Sequence, residues 1–325
     1  MDAPIRLAML YSSPLIWQDE KGQVHPIELL DFKREKDIIS KSLIQTGISI
    51  EIRSDFATSD NFRAMVLLGC QALHFSGHGL PGVLAFEDGR GGDHLIEADL
   101  LRELFQAGGP SGIQMVFVSA CHSRQIGEAF VKAGVEHVVA VRLEEPVYDL
   151  AAANFARAFY QALAARKTVQ QAFDSGRAAV KTTPHLHDTA FEAEKFLLLP
   201  EYGKHDVAIF SAAKKGDFTD SSPSDKPNNL PSKPAHFVGR SKIMQEIVSD
   251  LLEYRLVTIR GGPGIGKTAL AIEAGHYINE RALFDDGVFF VELRDSRSAE
   301  AVRFSIANAL GVEAREDKDL FKVLH

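Results

Sequence analysis

Two short segments carry side chains able to do covalent chemistry. Residues 72–79 read Ala-Leu-His-Phe-Ser-Gly-His-Gly, and residues 114–123 read Gln-Met-Val-Phe-Val-Ser-Ala-Cys-His-Ser. Each is an apolar run of strand character followed at once by a reactive residue, His78 in one and Cys121 in the other. Open α/β sheets bind ligands beyond the carboxyl ends of their strands, so two such strands side by side would turn both residues into one crevice. The pairing suits nucleophilic catalysis: a free thiol with a pKa near ~8.5 is only partly ionised at neutral pH, and an adjacent imidazole favours the thiolate. That imidazole can then protonate a leaving amine. Gly77 and Gly79 clear side chains from the backbone beside the bond to be cut, and the amides of Gly79 and Cys121 are candidates for an oxyanion hole.

A third segment is suited to anions. Gly261, Gly262, Pro263, Gly264, Ile265, Gly266, Lys267 and Thr268 match G-x-x-x-x-G-K-[ST] at every fixed position. The glycines let backbone amides turn inward as a nest for phosphate oxygens, and a helix starting near Lys267 aims its positive end at the same place. Lys267 is expected on the β- and γ-phosphates and the Thr268 hydroxyl on Mg²⁺, which makes ATP or ADP with Mg²⁺ the expected ligand. The His/Cys pair needs no cofactor, and no Cys/His cluster has zinc spacing.

Patterns of two kinds position these residues. Apolar runs at 6–10, 48–53, 73–76, 114–119, 137–141 and 196–199 alternate with helical periodicities at 32–45, 60–68, 127–133, 150–165 and 169–180. Such alternation predicts an α/β domain with a mostly parallel, six-stranded sheet flanked by helices, and residues 83–96 read as a hairpin with a Gly-rich turn. Residues 214–234 are rich in Pro, Ser, Asp, Asn and Lys and poor in apolar side chains, the composition of a linker. Beyond it a helix near 242–253, a strand at 256–260, a helix from about Lys267, a strand at 287–293 and a helix near 299–310 read as the start of a second α/β domain. The expected domains are therefore 1–212, a linker at 213–235, and 236–325.

Two resemblances follow from these motifs. The Ser-Gly-His-Gly and Ser-Ala-Cys pair, with residues 127–141 and 146–173 behind it, resembles the caspase-fold (clan CD) cysteine peptidases and within them the CHAT group, over roughly residues 5–200. It implies an endopeptidase whose dyad is His78 and Cys121, acting on a protein or peptide substrate. Phe-Val-Gly-Arg at 237–240, followed by a helix and the Gly-rich loop, resembles the NB-ARC/STAND family of P-loop ATPase switches. There the arginine, here Arg240, lies near the nucleotide, and the complete protein is expected to oligomerise on activation. No apolar run ending in paired carboxylates follows Lys267, so only the opening part of that domain is expected here. Together the resemblances imply a nucleotide-gated protease of bacterial-type defence or stress signalling. The alternative is a catalytically silent caspase-like interaction module on a nucleotide-binding scaffold.

Further candidates lie outside these motifs. Asp149 opens a helix after Pro146 and reads as its N-cap. Because some caspase-fold relatives hold a basic substrate side chain with acidic residues, Asp149, Glu144 and Glu145 are also candidates for a specificity pocket, and Lys214 and Lys215 for a self-cleavage site. Cys70 reads as core, His74 as packed within its strand, and His122 as a solvated or supporting residue. Two cysteines in 325 residues fit a reduced compartment. With no signal-type N-terminus and no apolar run near the roughly 18 residues of a membrane span, the expected location is cytoplasmic. A net charge of −8 argues against nucleic acid as the main ligand.

Overall fold

The side chains of the central strands alternate between two apolar clusters, and this alternation builds the layers of the first domain. In the computed structural model, which describes residues 4–19, 21–107, 112–142, 147–223, 226–235 and 237–312, the chain divides into two units, Met1–Pro223 and Ser224–His325. The first contains β1 (Ile5–Tyr11), β2 (Ile16–Gln18), β3 (Val24–Pro26), α1 (Phe32–Ile44), β4 (Ile50–Phe56), α2 (Ser59–Leu67) and β5 (Ala72–Ser76). There follow β6 (Gly79–Leu80), β7 (Val83–Glu87), β8 (Asp93–Glu97), α3 (Ala98–Ala107), β9 (Met115–Ser119), α4 (Arg124–Lys132) and β10 (His137–Val141). It ends with α5 (Asp149–Ala164), α6 (Val169–Lys181), α7 (Thr189–Glu194), β11 (Phe196–Leu199) and β12 (Phe218–Asp220).

The sheet order is β11-β10-β9-β5-β1-β4-β12, parallel throughout except for the antiparallel β10–β11 pair. Leu7, Met9, Ala72, Met115, Phe117 and Val139 point to one face, where α1, α5 and α6 cover them through Ile39, Phe155, Phe159 and Phe173. Their neighbours Ala8, Leu10, Leu73, Phe75, Val116 and Val138 point to the other, beneath Phe62 of α2, Phe105 of α3 and Phe130 of α4. The period of two thus fills both layers of an α/β/α sandwich, and buries β5, β9 and β10 along almost their whole length.

The sheet has seven strands where the sequence predicts six, because part of the expected linker is its edge. β4 would otherwise leave a row of unpaired backbone groups. β12 and the residues flanking it meet them: Ser49 N–H donates to the Lys214 carbonyl at 2.8 Å, Ile50 N–H to the Asp217 carbonyl at 3.3 Å, and Ser221 N–H to the Ile52 carbonyl at 2.8 Å. Backbone pairing needs no apolar composition, so a polar stretch that reads as linker serves as a strand. Residues 213–223 accordingly belong to the first unit.

The second unit holds α8 (Ser241–Glu253), α9 (Lys267–Glu280) and α10 (Ala299–Ala309). Met244, Ile247, Val248, Leu270, Ala274, Tyr277 and Ile278 are its buried apolar side chains on α8 and α9, and Gly311, in the left-handed region at φ 67°, follows α10 as its expected terminator. The strands expected at 256–260 and 287–293 do not form among the described residues; only an isolated bridge joins Asn228 to Val288. A strand exists through its ladder, and Leu256 is left 83% exposed without one.

Candidate active site

Strand register brings the two reactive residues to one level of one edge. β5 and β9 are parallel neighbours whose last pair is Ser76 with Ser119. His78 lies two residues beyond the first and Cys121 two beyond the second, and Gly77 N–H donates to the Ser119 carbonyl at 3.1 Å, carrying the pairing one step past the strands. Gly79 then passes so close to the turn bearing Cys121 that a Cβ there would stand 2.5 Å from the Cys121 carbonyl oxygen. Gly77 is equally confined, by Ser12 Cβ at 2.9 Å. A side chain at 79 would meet backbone of the Cys121 turn, and one at 77 would meet the Ser12 and Phe75 side chains, so both positions favour glycine.

The turn bearing Cys121 is held from both sides. His122 takes a left-handed backbone at φ 55°, a conformation uncommon for a residue with a Cβ and one that sharpens the exit from β9. Next, the Ser123 hydroxyl donates to the Val118 carbonyl at 3.3 Å and accepts from the Val141 N–H at 2.9 Å, tying the turn back to β9 and across to β10. Cys121 is half-buried, while Cys70 is in the core, where burial pushes its thiol up to about 11.

His78 has a fixed partner: its Nε2–H donates to the Glu28 backbone carbonyl at 2.8 Å. A carbonyl only accepts, so the neutral ring carries its proton on Nε2 and leaves Nδ1 with a lone pair, able to take a thiol proton. The segment holding Glu28 is itself anchored, Ile27 N–H on the Leu15 carbonyl at 3.1 Å and Leu30 N–H on the Ser13 hydroxyl at 3.1 Å. Glu28 and Ser123 were not legible as site residues, since one acts through a carbonyl common to every residue type and the other reads as an ordinary turn serine.

The other candidates are scattered. Asp149 is the first residue of α5 and exposed; Tyr148 occupies the N-cap position, and no side-chain cap bond forms there. Glu144 and Glu145 lie outside the described residues. Lys214 and Lys215 are exposed but pinned, the first through its carbonyl and the second by a bridge to Ile48. His74, in β5, is fully buried and hydrogen-bonded to Tyr160 of α5 and Glu35 of α1. Among the described residues no group of three His, Cys, Asp or Glu side chains could hold a metal ion, and no helix is long and apolar enough to cross a membrane.

In the second unit, residues 261–266 form a turn that runs into α9. Gly264 and Gly266 take φ of 78° and 84°, and Lys267 Nζ donates to the carbonyls of Gly261 at 3.0 Å and Gly262 at 2.7 Å, closing the loop on itself. Pro263, Ile265 and Thr268 are exposed around it. Arg240, just before α8, brings its guanidinium to this turn: a Cβ on Gly266 would stand 3.4 Å from its Nη1. Two cations and a helix N-terminus converging on a glycine turn fit a polyphosphate group.

Comparison with known proteins accords with the first unit. Residues 14–235 match the family model described as CHAT domain. Among solved structures, the chain is similar to the Arg-specific cysteine proteinase gingipain R (14% identity, TM-score 0.44, 62% of this chain and 46% of that one). It is also similar to a Porphyromonas gingivalis complex of RgpB pro- and mature domains (13%, 0.41, 63% and 48%). A third is caspase-1 from Spodoptera frugiperda (14%, 0.35, 59% and 85%). The chain spans about half the length of the two gingipain chains. A comparison with the curated proteins finds no match.

Proposed function

The chain belongs to the CHAT-domain family, and on that premise we propose that it is a caspase-like cysteine endopeptidase whose dyad is His78 and Cys121. The observation that carries the reading is the β5–β9 register, with Ser76 opposite Ser119 and a reactive residue two positions beyond each. In the reaction, His78 Nδ1 takes the thiol proton as Cys121 Sγ attacks the scissile carbonyl carbon. The C–N bond breaks as that proton passes to the departing amine, and water then hydrolyses the thioester, returning the thiol. The amides of Gly79 and Cys121 stabilise the oxyanion. Asp149, exposed at the start of α5, favours a basic side chain before the cut, with Glu144 and Glu145 as further acids.

Residues 236–325 act as part of a nucleotide-dependent switch that gates the protease by oligomerisation of the complete protein, in bacterial-type defence or stress signalling. Lys267, Thr268 and Arg240 would hold ATP or ADP with Mg²⁺, and the γ-phosphate that ATP carries and ADP lacks would supply the charge that distinguishes the two states of such switches. The reading is tested with a peptide bearing a thiol-reactive electrophile after Lys or Arg, and mass spectrometry of the modified site in wild type, Cys121→Ala and His78→Ala, each checked for folding by circular dichroism. Modification of Cys121 that falls in His78→Ala is the expected result. If the complete, activated protein leaves Cys121 unmodified, the domain is an interaction module instead.

A further inference from the structure

A buried carboxylate that the dyad chemistry does not use lies beneath the strand that carries His78. Glu35 projects from the first turn of α1 into the core, its side chain 13% exposed. Its Oε1 accepts from His74 Nε2–H at 3.2 Å and its Oε2 from the Ser76 hydroxyl at 2.5 Å. His74, fully buried and stacked on Phe117, has its Nδ1 3.1 Å from the Tyr160 hydroxyl. Burial, and then the Glu35 charge, raise the Tyr160 pKa well above its usual value, so the phenol keeps its proton and donates to Nδ1. The contacts run as one chain, from the Tyr160 hydroxyl to His74 Nδ1, and from His74 Nε2–H and the Ser76 O–H to a Glu35 carboxylate. Burial works against that charge, but the His74 hydrogen bond, the charge interaction with His74 and the Ser76 hydroxyl together offset it and leave the Glu35 pKa lowered.

The network is placed to control His78. Ser76 is the last residue of β5, two before His78, so one Glu35 oxygen grips the strand where it delivers the imidazole. On the other side, α1 is entered through residues 28–31, with Asp31 capping it at Arg34 N–H (3.0 Å) and Glu28 offering the carbonyl that accepts from His78 Nε2. Glu35 therefore ties together the strand that bears His78 and the helix whose lead-in segment bears its hydrogen-bond acceptor. A buried ion is costly unless something requires it; an apolar contact would join α1 to β5 with no desolvation cost.

We propose that Glu35 is a positioning residue for the candidate dyad, fixing the orientation and tautomer of His78 by clamping α1 to the end of β5. This rests on the peptidase reading above. The test is a double-mutant cycle on the full chain. The rate of Cys121 carboxamidomethylation by iodoacetamide is followed from pH 5 to 9 in wild type, Glu35→Gln, His78→Ala and the double variant. Glu35→Gln is expected to slow the neutral-pH reaction on the order of tenfold while His78 is present, and to add nothing in the His78→Ala background, as for residues that act through one another. Ser76→Ala, which removes one donor and keeps the carboxylate, is expected to show a smaller loss with the same dependence on His78. Equal losses in both backgrounds, or none from Glu35→Gln where His78→Ala does slow the reaction, would overturn the proposal alone. A wild-type rate indifferent to His78→Ala would instead overturn the dyad, and the proposal with it.

Discussion

Gly79 lies against the backbone of Cys121, with room for a hydrogen and not for a methyl group: a Cβ at 79 would meet the Cys121 carbonyl oxygen at 2.5 Å and Ala120 Cβ at 3.3 Å. Neither neighbour is a flexible side-chain end, so relief must come from the backbone. Gly79→Ala should therefore displace the turn carrying Cys121. The expected outcome is a fall of about tenfold in Cys121 labelling, with a stability loss of ~1–3 kcal/mol typical of overpacking. Labelling kinetics and a denaturant melt measure the two, and a variant that labels like wild type would mean that this close approach does not set the turn.

The two cysteines should separate by chemistry. Cys70 is 2% exposed, and burial raises its pKa to about 11. At pH 7.5 the Cys70 thiol therefore stays almost wholly protonated, and the thiolate is the reacting species. Iodoacetamide should modify Cys121 alone in the folded protein and both residues in denaturant, with peptide mapping as the readout. Early labelling of Cys70 would indicate that the β4–β5 side of the core opens readily.

What the sequence made legible follows from what repeats along a chain. The alternation of apolar side chains located β5, β9, β10 and β11 to within about one residue, and the helical periods located α1, α5 and α6. His78 and Cys121 could be placed on one edge because their distance from a strand end is a property of sequence. Three things were not legible. β12 is polar and is a strand only because β4 offers an edge. Residues 256–260 are apolar and β-branched yet form no strand among the described residues, because a ladder needs a partner. Glu35 sits in a charged run of α1, Lys-Arg-Glu-Lys-Asp, where nothing in residue type separates a buried carboxylate from its solvated neighbours.

The β12 edge gives a measurable opening equilibrium. The Ser222 hydroxyl accepts from Ser54 N–H at 2.8 Å, lies 2.8 Å from the Ser54 hydroxyl and accepts from Lys36 Nζ at 3.1 Å, while Lys36 also pairs with Asp220 at 2.8 Å. Ser222→Ala removes this anchor at a net cost of about 1 kcal/mol. If trypsin cuts after Lys214 or Lys215 only when the edge lifts, cleavage there should speed up by roughly fivefold, in proportion to the open population. Unchanged cleavage would show that the edge opens without releasing Ser222.

The His137–His205 pair should make stability depend on pH. Their Nδ1 atoms are 2.9 Å apart, and His205 Nε2–H donates to the Pro200 carbonyl at 3.0 Å, so the shared proton belongs to His137. Burial, then repulsion from His205, lower the His137 pKa. The folded state thus binds fewer protons than the unfolded one, whose histidines titrate near about 6.5, and stability rises with pH through that range. The contribution is complete above about 6.5 and is lost as pH falls below it towards the folded value. Urea melts between pH 7.5 and 5 should show this acid-side decline, and His137→Gln should flatten it. An equal slope in the variant would assign the decline to other groups.

The glycine turn of the second unit should bind a nucleotide through both of its cations. Lys267 spends its ammonium on the carbonyls of Gly261 and Gly262, and the Arg240 guanidinium approaches Gly266 from the other side. A triphosphate entering the turn would meet both cations together with the first amides of α9, and charge-assisted bonds of this kind are the strong ones. Titration of the full chain with a fluorescent ATP analogue in Mg²⁺ should show saturable binding that weakens by about tenfold or more in Lys267→Ala and less in Arg240→Ala, since Lys267 also closes the loop itself. The matching loss on raising salt should be smaller in each variant than in wild type, because each has one cation fewer to screen. Binding that is the same in all three proteins would place the nucleotide, if it binds at all, away from this turn, and the gate proposed for the protease would need another ligand.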